Sequence, residues 1–184
     1  MQEWKTKRTT MRHYDHLAPS YDAQYSEEQN AQIEAALNNI PLSQNDLILD
    51  LGCGTGLLFQ HVAKSAKLVA GIDVSSKILQ EAKKRTKQLS NTAVIRADAD
   101  YTPFQNQTFD QVFAITLLQN MPNPLKTLQE IKRVSKPQST IVVTGLKKKF
   151  TQEHFIKLLN KSGLKISTSK TNPQLKGYIT ICTN

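Results

Sequence analysis

From residue 46 onwards, short and almost continuously apolar blocks alternate with blocks of mixed polarity. DLILDL (46–51), KLVAGIDV (67–74), AVIRAD (93–98), FDQVFAITLL (109–118) and STIVVTGL (139–146) read as buried strands. Between them, GLLFQHVAKSA (56–66), SKILQEAKKRTKQL (76–89), NPLKTLQEIKRVS (123–135) and TQEHFIKLLNKSG (151–163) read as helices. Leu125, Leu128, Ile131 and Val134 make one such helical stripe. Ser75 or Ser76 is placed to cap the 76–89 helix and Thr151 the 151–163 helix, with Gly163 as a left-handed stop. Two more strands, 164–170 and 177–183, are expected to pair antiparallel. The alternation predicts an α/β fold built on a doubly wound sheet of seven strands, mostly parallel with an antiparallel C-terminal strand.

The first forty residues follow a different pattern. Residues 1–12 are basic and are expected to fray, and the aromatic-rich HYDHLAPSYDAQY (13–25) suggests helix–turn–helix. Ser26 with Gln29 resembles a capping box that opens a helix to about Asn39. Ile33, Ala36, Leu37 and Ile40 share its apolar face, and Pro41 stops it. The expectation is one domain over residues 1–184, with a helical lid (1–40) on an α/β core (41–184).

Candidate chemistry sits where strands end. LDLGCGTG (49–56) closes the first strand on Gly52, Gly54 and Gly56. Glycine there lets backbone turn sharply and approach a ligand, and the following helix start favours an anionic group. The spacing is GxGxG; Leu57 stands where the dinucleotide pattern needs glycine, and no Gly-Lys-Ser/Thr ending marks a P-loop. Alone, the triplet is weak evidence, and a mere tight turn remains an alternative reading. Asp73 ends the second strand 21 residues beyond Gly52, where a carboxylate can accept both hydroxyls of a ribose. Asp98 ends the third, placed to accept from an adenine amino group while Ala99 offers its N–H. Together these features point to a nucleoside-bearing ligand.

At these residues the chain resembles the class I S-adenosylmethionine (SAM)-dependent methyltransferases of the small, ubiquinone-biosynthesis-like type, the type 11 family. YDHLAPSYD, ILDLGCGTG, GIDVSSKILQEAKKR, RADADYTPFQNQTFDQVFAI and LKTLQEIKRVSKP carry the likeness, over roughly residues 13 to 165. The resemblance implies a Rossmann-like fold and SAM as cofactor. It places Gly52, Cys53 and Gly54 at the methionine end, with Asp50 orienting that loop and reaching the amino group. Asp73 would hold the ribose, Ile72 or Val74 would flank the adenine, and Asp98 and Ala99 would read its edge. Thr116 and Leu117 would lie beneath the sulfonium, and Tyr14 and Tyr21 would close over the methionine tail. The family's KPGG turn reads KPQS here, at Lys136 to Ser139, which puts the shape of that turn in question.

The acceptor is less visible. No Asn/Asp-Pro-Pro-Tyr box follows the fourth strand and no Pro-Cys pair stands there; the stretch reads TLLQNMPNP. His16, in the expected lid, is the candidate general base beside its reading as an exposed residue. Gln119 and Asn120 could position a polar group of the acceptor or simply end a strand; His154 reads as solvated, and His13 and His61 show no partner. The chain carries 24 Lys and Arg against 15 Asp and Glu, a net charge of +9 that favours anionic partners. From residue 141 the only acid is Glu153, and Lys147, Lys148 and Lys149 precede Phe150. A lysine run beside an aromatic suits a phosphate-lined groove with a base to stack, or is a solvated loop. The acceptor is therefore read as RNA or a translation component, with a small activator protein as a plausible partner. The alternatives are a small-molecule or lipid-quinone acceptor, and a SAM-binding protein without transferase activity. Two cysteines without a CxxC pair form no zinc site and suit a reducing cytoplasm. No apolar run is long enough to span a membrane.

Overall fold

The computed structural model describes residues 2–184, apart from the side chain of Lys170. Among the described residues seven strands form one sheet: β1 (Leu47–Leu51), β2 (Leu68–Asp73), β3 (Thr92–Arg96), β4 (Phe109–Ala114), β5 (Ser135–Leu146), β6 (Lys165–Lys170) and β7 (Gly177–Thr183). Their order is β3-β2-β1-β4-β5-β7-β6. The first five pair in parallel, and β7 enters antiparallel between β5 and β6. The sequence-based fold class is thus observed. Because β2 lies on one side of β1 and β4 on the other, the chain reverses direction across the sheet beside β1. In open parallel sheets that point, at the carboxyl ends of the strands, is where ligands bind.

Among the described residues six α-helices flank the sheet: α1 (Gln2–Leu17), α2 (Tyr21–Leu37), α3 (Leu57–Val62), α4 (Ser76–Thr86), α5 (Pro124–Val134) and α6 (Gln152–Lys161). One apolar layer joins Ile33 and Ala36 of α2, Leu58 and Val62 of α3, and Leu79 and Ala82 of α4 to the sheet. The other joins Leu128, Ile131 and Val134 of α5 to Phe155 and Leu159 of α6. Caps fix the helix starts: the Ser75 hydroxyl accepts from Ile78 N–H, Asn123 from Lys126 N–H and Thr151 from His154 N–H. Among the described residues no helix is long and apolar enough to cross a membrane.

The structure departs from the sequence expectations in four places. Residues 2–12 are helical and continue into α1, because polar contacts described below hold them down. The next helix starts at Tyr21, so Ser26 lies inside it and Gln29 is drawn to Tyr21 and Thr116 instead of to a cap. β4 stops at Ala114, since Thr116 has a left-handed φ of 55° and a 3-10 turn follows at Leu118–Asn120. β5 starts at Ser135, ahead of the expected 139, because Ser135 pairs with Phe109 before a register shift.

That shift contains the KPQS turn. Gln138 takes φ 61° there, the left-handed conformation that costs an L-residue about 1 kcal/mol and glycine nothing. The turn keeps a glycine's shape without the glycine. Gln138→Gly is expected to stabilise the fold by up to about 1 kcal/mol, read as a higher midpoint in urea at unchanged slope.

Candidate active site

The loop after β1 is clamped to the end of β2. Gly52 and Cys53 both donate their N–H to the Ile72 carbonyl at 2.9 Å. Gly54 N–H donates to Asp73 Oδ2 (3.1 Å), and Ser75 N–H to Asp73 Oδ1 (2.9 Å). Arg85 of α4 grips the far side of the loop: it donates to the Thr55 carbonyl (2.7 Å) and to Asp22 (2.6 Å), which also accepts from the Thr55 hydroxyl. Beneath the loop lies Phe59, fully buried, where side chains on Gly56 and Gly71 would stand: a Cβ there would meet its ring at 2.6 and 2.5 Å. Gly54 differs. Its φ is 54°, and an added Cβ would find only Tyr21 at 3.9 Å, so its bare backbone faces open space.

That space is a cleft with about 680 Å³ of empty volume, its open mouth included. Its lining brings together Tyr14, Tyr21, Gly52, Gly54, Ile72, Asp73, Val74, Asp98, Ala99, Thr116 and Leu117, residues named from the sequence out of separate segments. A smaller cavity, which shares Tyr21, Gly52, Gly54 and Thr116 with the cleft, adds Asp50 and Cys53. Asp50 is 4% exposed, and among the described residues no group hydrogen-bonds its carboxylate. Burial, with a smaller push from the charge of Asp73, raises its pKa to about 8. Burial also pushes up Asp73, against the pull of its N–H donors, and raises the Cys53 thiol, which stays protonated.

The wall opposite the glycine loop is a polar network. Asn120 donates to the Tyr14 hydroxyl (2.8 Å) and to the Thr116 carbonyl (3.1 Å). Gln29 donates to the Tyr21 hydroxyl (2.6 Å) and to the Thr116 hydroxyl (3.1 Å). The strained Thr116 therefore joins the lid helices to the end of β4. Tyr14 and Tyr21 meet edge to face, 5.9 Å between centroids. Burial raises both phenols, so neither is a ready base.

The sequence reading missed Lys7. It is 7% exposed and lines the cleft. Its ammonium donates to both oxygens of Asp98 (2.6 and 2.8 Å) and to Asp100 (2.5 Å). Asp100 is held in turn by the Thr127 hydroxyl. Further contacts fasten the same helix. Asp15 accepts from the Ser75 hydroxyl and from Lys77 N–H, and Glu3 lies 3.6 Å from Lys126. The signal in the sequence was faint: Glu3, Lys7, Thr10 and Tyr14 recur at helical spacing, but they form a polar stripe where an apolar one is sought. Thr10, Ile78, Ala97 and Met121, also unanticipated, complete the walls.

Two expectations need correction. His16 is exposed on the side of α1 away from Tyr14 and does not line the cleft. Phe150 is 8% exposed and packs against Phe155, so it is not available to stack on a base. Of the lysines before it, Lys147 donates to the carbonyls of Asn172 and Leu175, leaving Lys148 and Lys149 exposed.

Residues 49–143, about half of the chain, match the family model of a methyltransferase domain. The chain belongs to the type 11 methyltransferase family. It is 34% identical over 142 residues to a malonyl-[acyl-carrier protein] O-methyltransferase of Marinomonas sp., covering 76% of this chain and 52% of that one. The chain thus spans about half the length of that curated relative. Two solved structures share the fold. One comes from the complex between the Haloferax volcanii Trm112 methyltransferase activator and a protein described as a methyltransferase (TM-score 0.81, 17% identity, 92% of this chain and 96% of that one). The other is a SAM-dependent methyltransferase from Aquifex aeolicus (TM-score 0.72, 21% identity, 82% and 88%).

The strap that α1 lays over the cleft can be tested directly. Lys7→Met keeps the stem and removes the charge, leaving Asp98 and Asp100 facing each other; losing one partner of such a pair costs about 3–5 kcal/mol where the pair is buried. Amide exchange in residues 2–17 is expected to speed up at least ten-fold while β1, β2 and β4 keep their protection. Unchanged exchange in α1 would show that the helix is held by other contacts.

Proposed function

We propose that this chain binds SAM and transfers its methyl group to an acceptor. The observation that carries the reading is Asp50: a buried carboxylate without a protein partner, open to a cavity whose floor is bare glycine backbone. A buried acid with no donor is costly unless a cation arrives, and the amino acid end of SAM has an ammonium. The other donors and acceptors suit the rest of the molecule. Asp73 keeps lone pairs for ribose hydroxyls, and Ile72, Val74 and Ile78 give apolar walls for a flat base. The adenine amino group would share Asp98 with Lys7.

When bound, SAM supplies a methyl group already activated by its sulfonium. The protein's part is then alignment and exclusion of water. Tyr14, Tyr21, Asn120 and Met121 close the cleft beside Thr116 and Leu117. Among the described residues no histidine lines the cleft, and its carboxylates Asp73 and Asp98 already accept from protein donors, which favours an acceptor whose nucleophile needs little or no deprotonation. The complex of the Haloferax protein with a small activator supports the same kind of partner for this chain.

Titration with SAM should show one site per chain, which Asp73→Ala weakens at least ten-fold. Absence of SAM binding to the wild type refutes the reading.

The raised pKa of Asp50 adds a pH signature. In the ligand-free fold the acid is protonated below about 8, whereas the bound ammonium requires it ionised. Affinity should therefore rise with pH from 6 toward about 8, a gain of more than about ten-fold, and fall again as the ligand's own ammonium deprotonates. Asp50→Asn should weaken binding and flatten that profile. For stability the sign is reversed. The folded carboxyl holds its proton more tightly than the unfolded one, so its contribution is full below about pH 4 and is lost as pH rises through about 8.

A further inference from the structure

Helix α1 has two faces of opposite use. Glu3, Lys7, Thr10 and Tyr14 turn toward the body of the protein. On the other side, Lys5, Arg8, Arg12 and His16 recur every three to four residues, and all four are exposed. Among the described residues, no acid pairs with Lys5, Arg8 or Arg12. The nearby acids are committed elsewhere: Glu3 faces Lys126, and Asp15 caps α4. Two further cations flank the stripe. Arg96 Nη2 lies 3.5 Å from Met11 Sδ, beside the turn that carries Arg8 and Arg12. Lys77, whose N–H Asp15 accepts, is exposed at the start of α4. Trp4, the single tryptophan of the chain, is half exposed near the end of this face.

This face lies on the outside of the helix that walls the cleft. The face contrasts with the lysines before Phe150, where one amine is spent on carbonyls and the aromatic is buried. Three classes of anion could meet such a stripe. A membrane surface would need an apolar face to insert, and among the described residues of α1 Trp4 is the one exposed large hydrophobic. Duplex DNA offers phosphates to these cations but keeps its bases stacked inside, so the exposed indole would find no free base. Cations that track phosphates, with an aromatic for a base to stack on, match a single strand. Unpaired loops and ends with free bases are the usual state of RNA targets.

We propose that the solvent face of α1 docks single-stranded RNA, through Lys5, Arg8, Arg12 and Arg96 on phosphates and Trp4 on a base. As a statement about the methyl acceptor, this rests on the methyl-transfer reading above; the binding itself does not.

The lone tryptophan makes the surface directly observable. An unstructured RNA of about 20 nucleotides should quench Trp4 emission saturably, with affinity falling steeply between about 50 and 200 mM salt. The triple variant Lys5→Gln, Arg8→Gln, Arg12→Gln removes charge with good helix formers. It should bind RNA at least ten-fold more weakly and titrate with SAM as the wild type does. Lys148→Gln with Lys149→Gln should have a smaller effect. The proposal is overturned if RNA binds without changing Trp4 emission, or if the triple variant binds like the wild type. It is equally overturned if phosphatidylglycerol vesicles shift Trp4 emission to the blue and RNA does nothing. Single-stranded DNA of the same length binding as tightly as RNA would defeat the assignment to RNA. Failure of SAM to bind the wild type, with the RNA results intact, would remove the methyl-transfer reading and leave the docking surface standing.

Discussion

The carbonyl oxygen of Ile72 accepts two N–H groups from the loop after β1, and the carboxylate of the next residue accepts a third. This clamp between neighbouring parallel strands is the constraint on which the site depends. It holds three successive backbone groups in one orientation, so the loop presents bare backbone to the cleft. It also uses the inner side of Asp73, which fixes how that carboxylate faces outward. Arg85 repeats the device from α4, tying Thr55 and Asp22 together, so one guanidinium links the glycine loop to the lid.

The floor and the roof of the cleft are made by different physics. The floor rests on strands whose side chains are fully buried, Ile48, Leu49, Leu51 and Ile72 among them. Its stability comes from apolar burial and is little affected by salt. The roof is α1, held by Lys7 on two carboxylates, by Asp15 on the start of α4 and by Asn120 on Tyr14. Its apolar anchor is small: Ala18, Tyr21 and Ile78, with Tyr14 and Leu17 beside them. Fastened this way, α1 has few apolar contacts to lose if it opens locally.

Much of this was legible in the sequence, and the parts that were not share a cause. The strands, the glycine loop, Asp73 and Asp98 gave local signals: continuous apolar runs, glycine spacing, an acid at each strand end. The site residues that those signals named do converge on one cleft and its side cavity. The lid left no such mark. α1 buries a lysine where periodicity looks for leucine, and that lysine's partners are more than ninety positions away. Phe150 misled for the converse reason. Beside three lysines it looked solvent-facing, but the chain turns there and the core of α6 takes the ring. Gln138 shows a third case, in which backbone geometry outlasts the residue type that would favour it.

Phe59 ties together positions that the chain keeps apart. Its ring fills the space that side chains at residues 56 and 71 would need, one on the loop and one in β2. The three behave as a single volume shared among them. Among relatives, a side chain at position 71 should then appear together with a smaller residue at 59. Where 59 shrinks and neither glycine changes, the glycine loop should lose its support from below. The glycine loop and the middle of β2 are therefore expected to vary as a unit, although none of residues 56, 59 and 71 is among those lining the cleft.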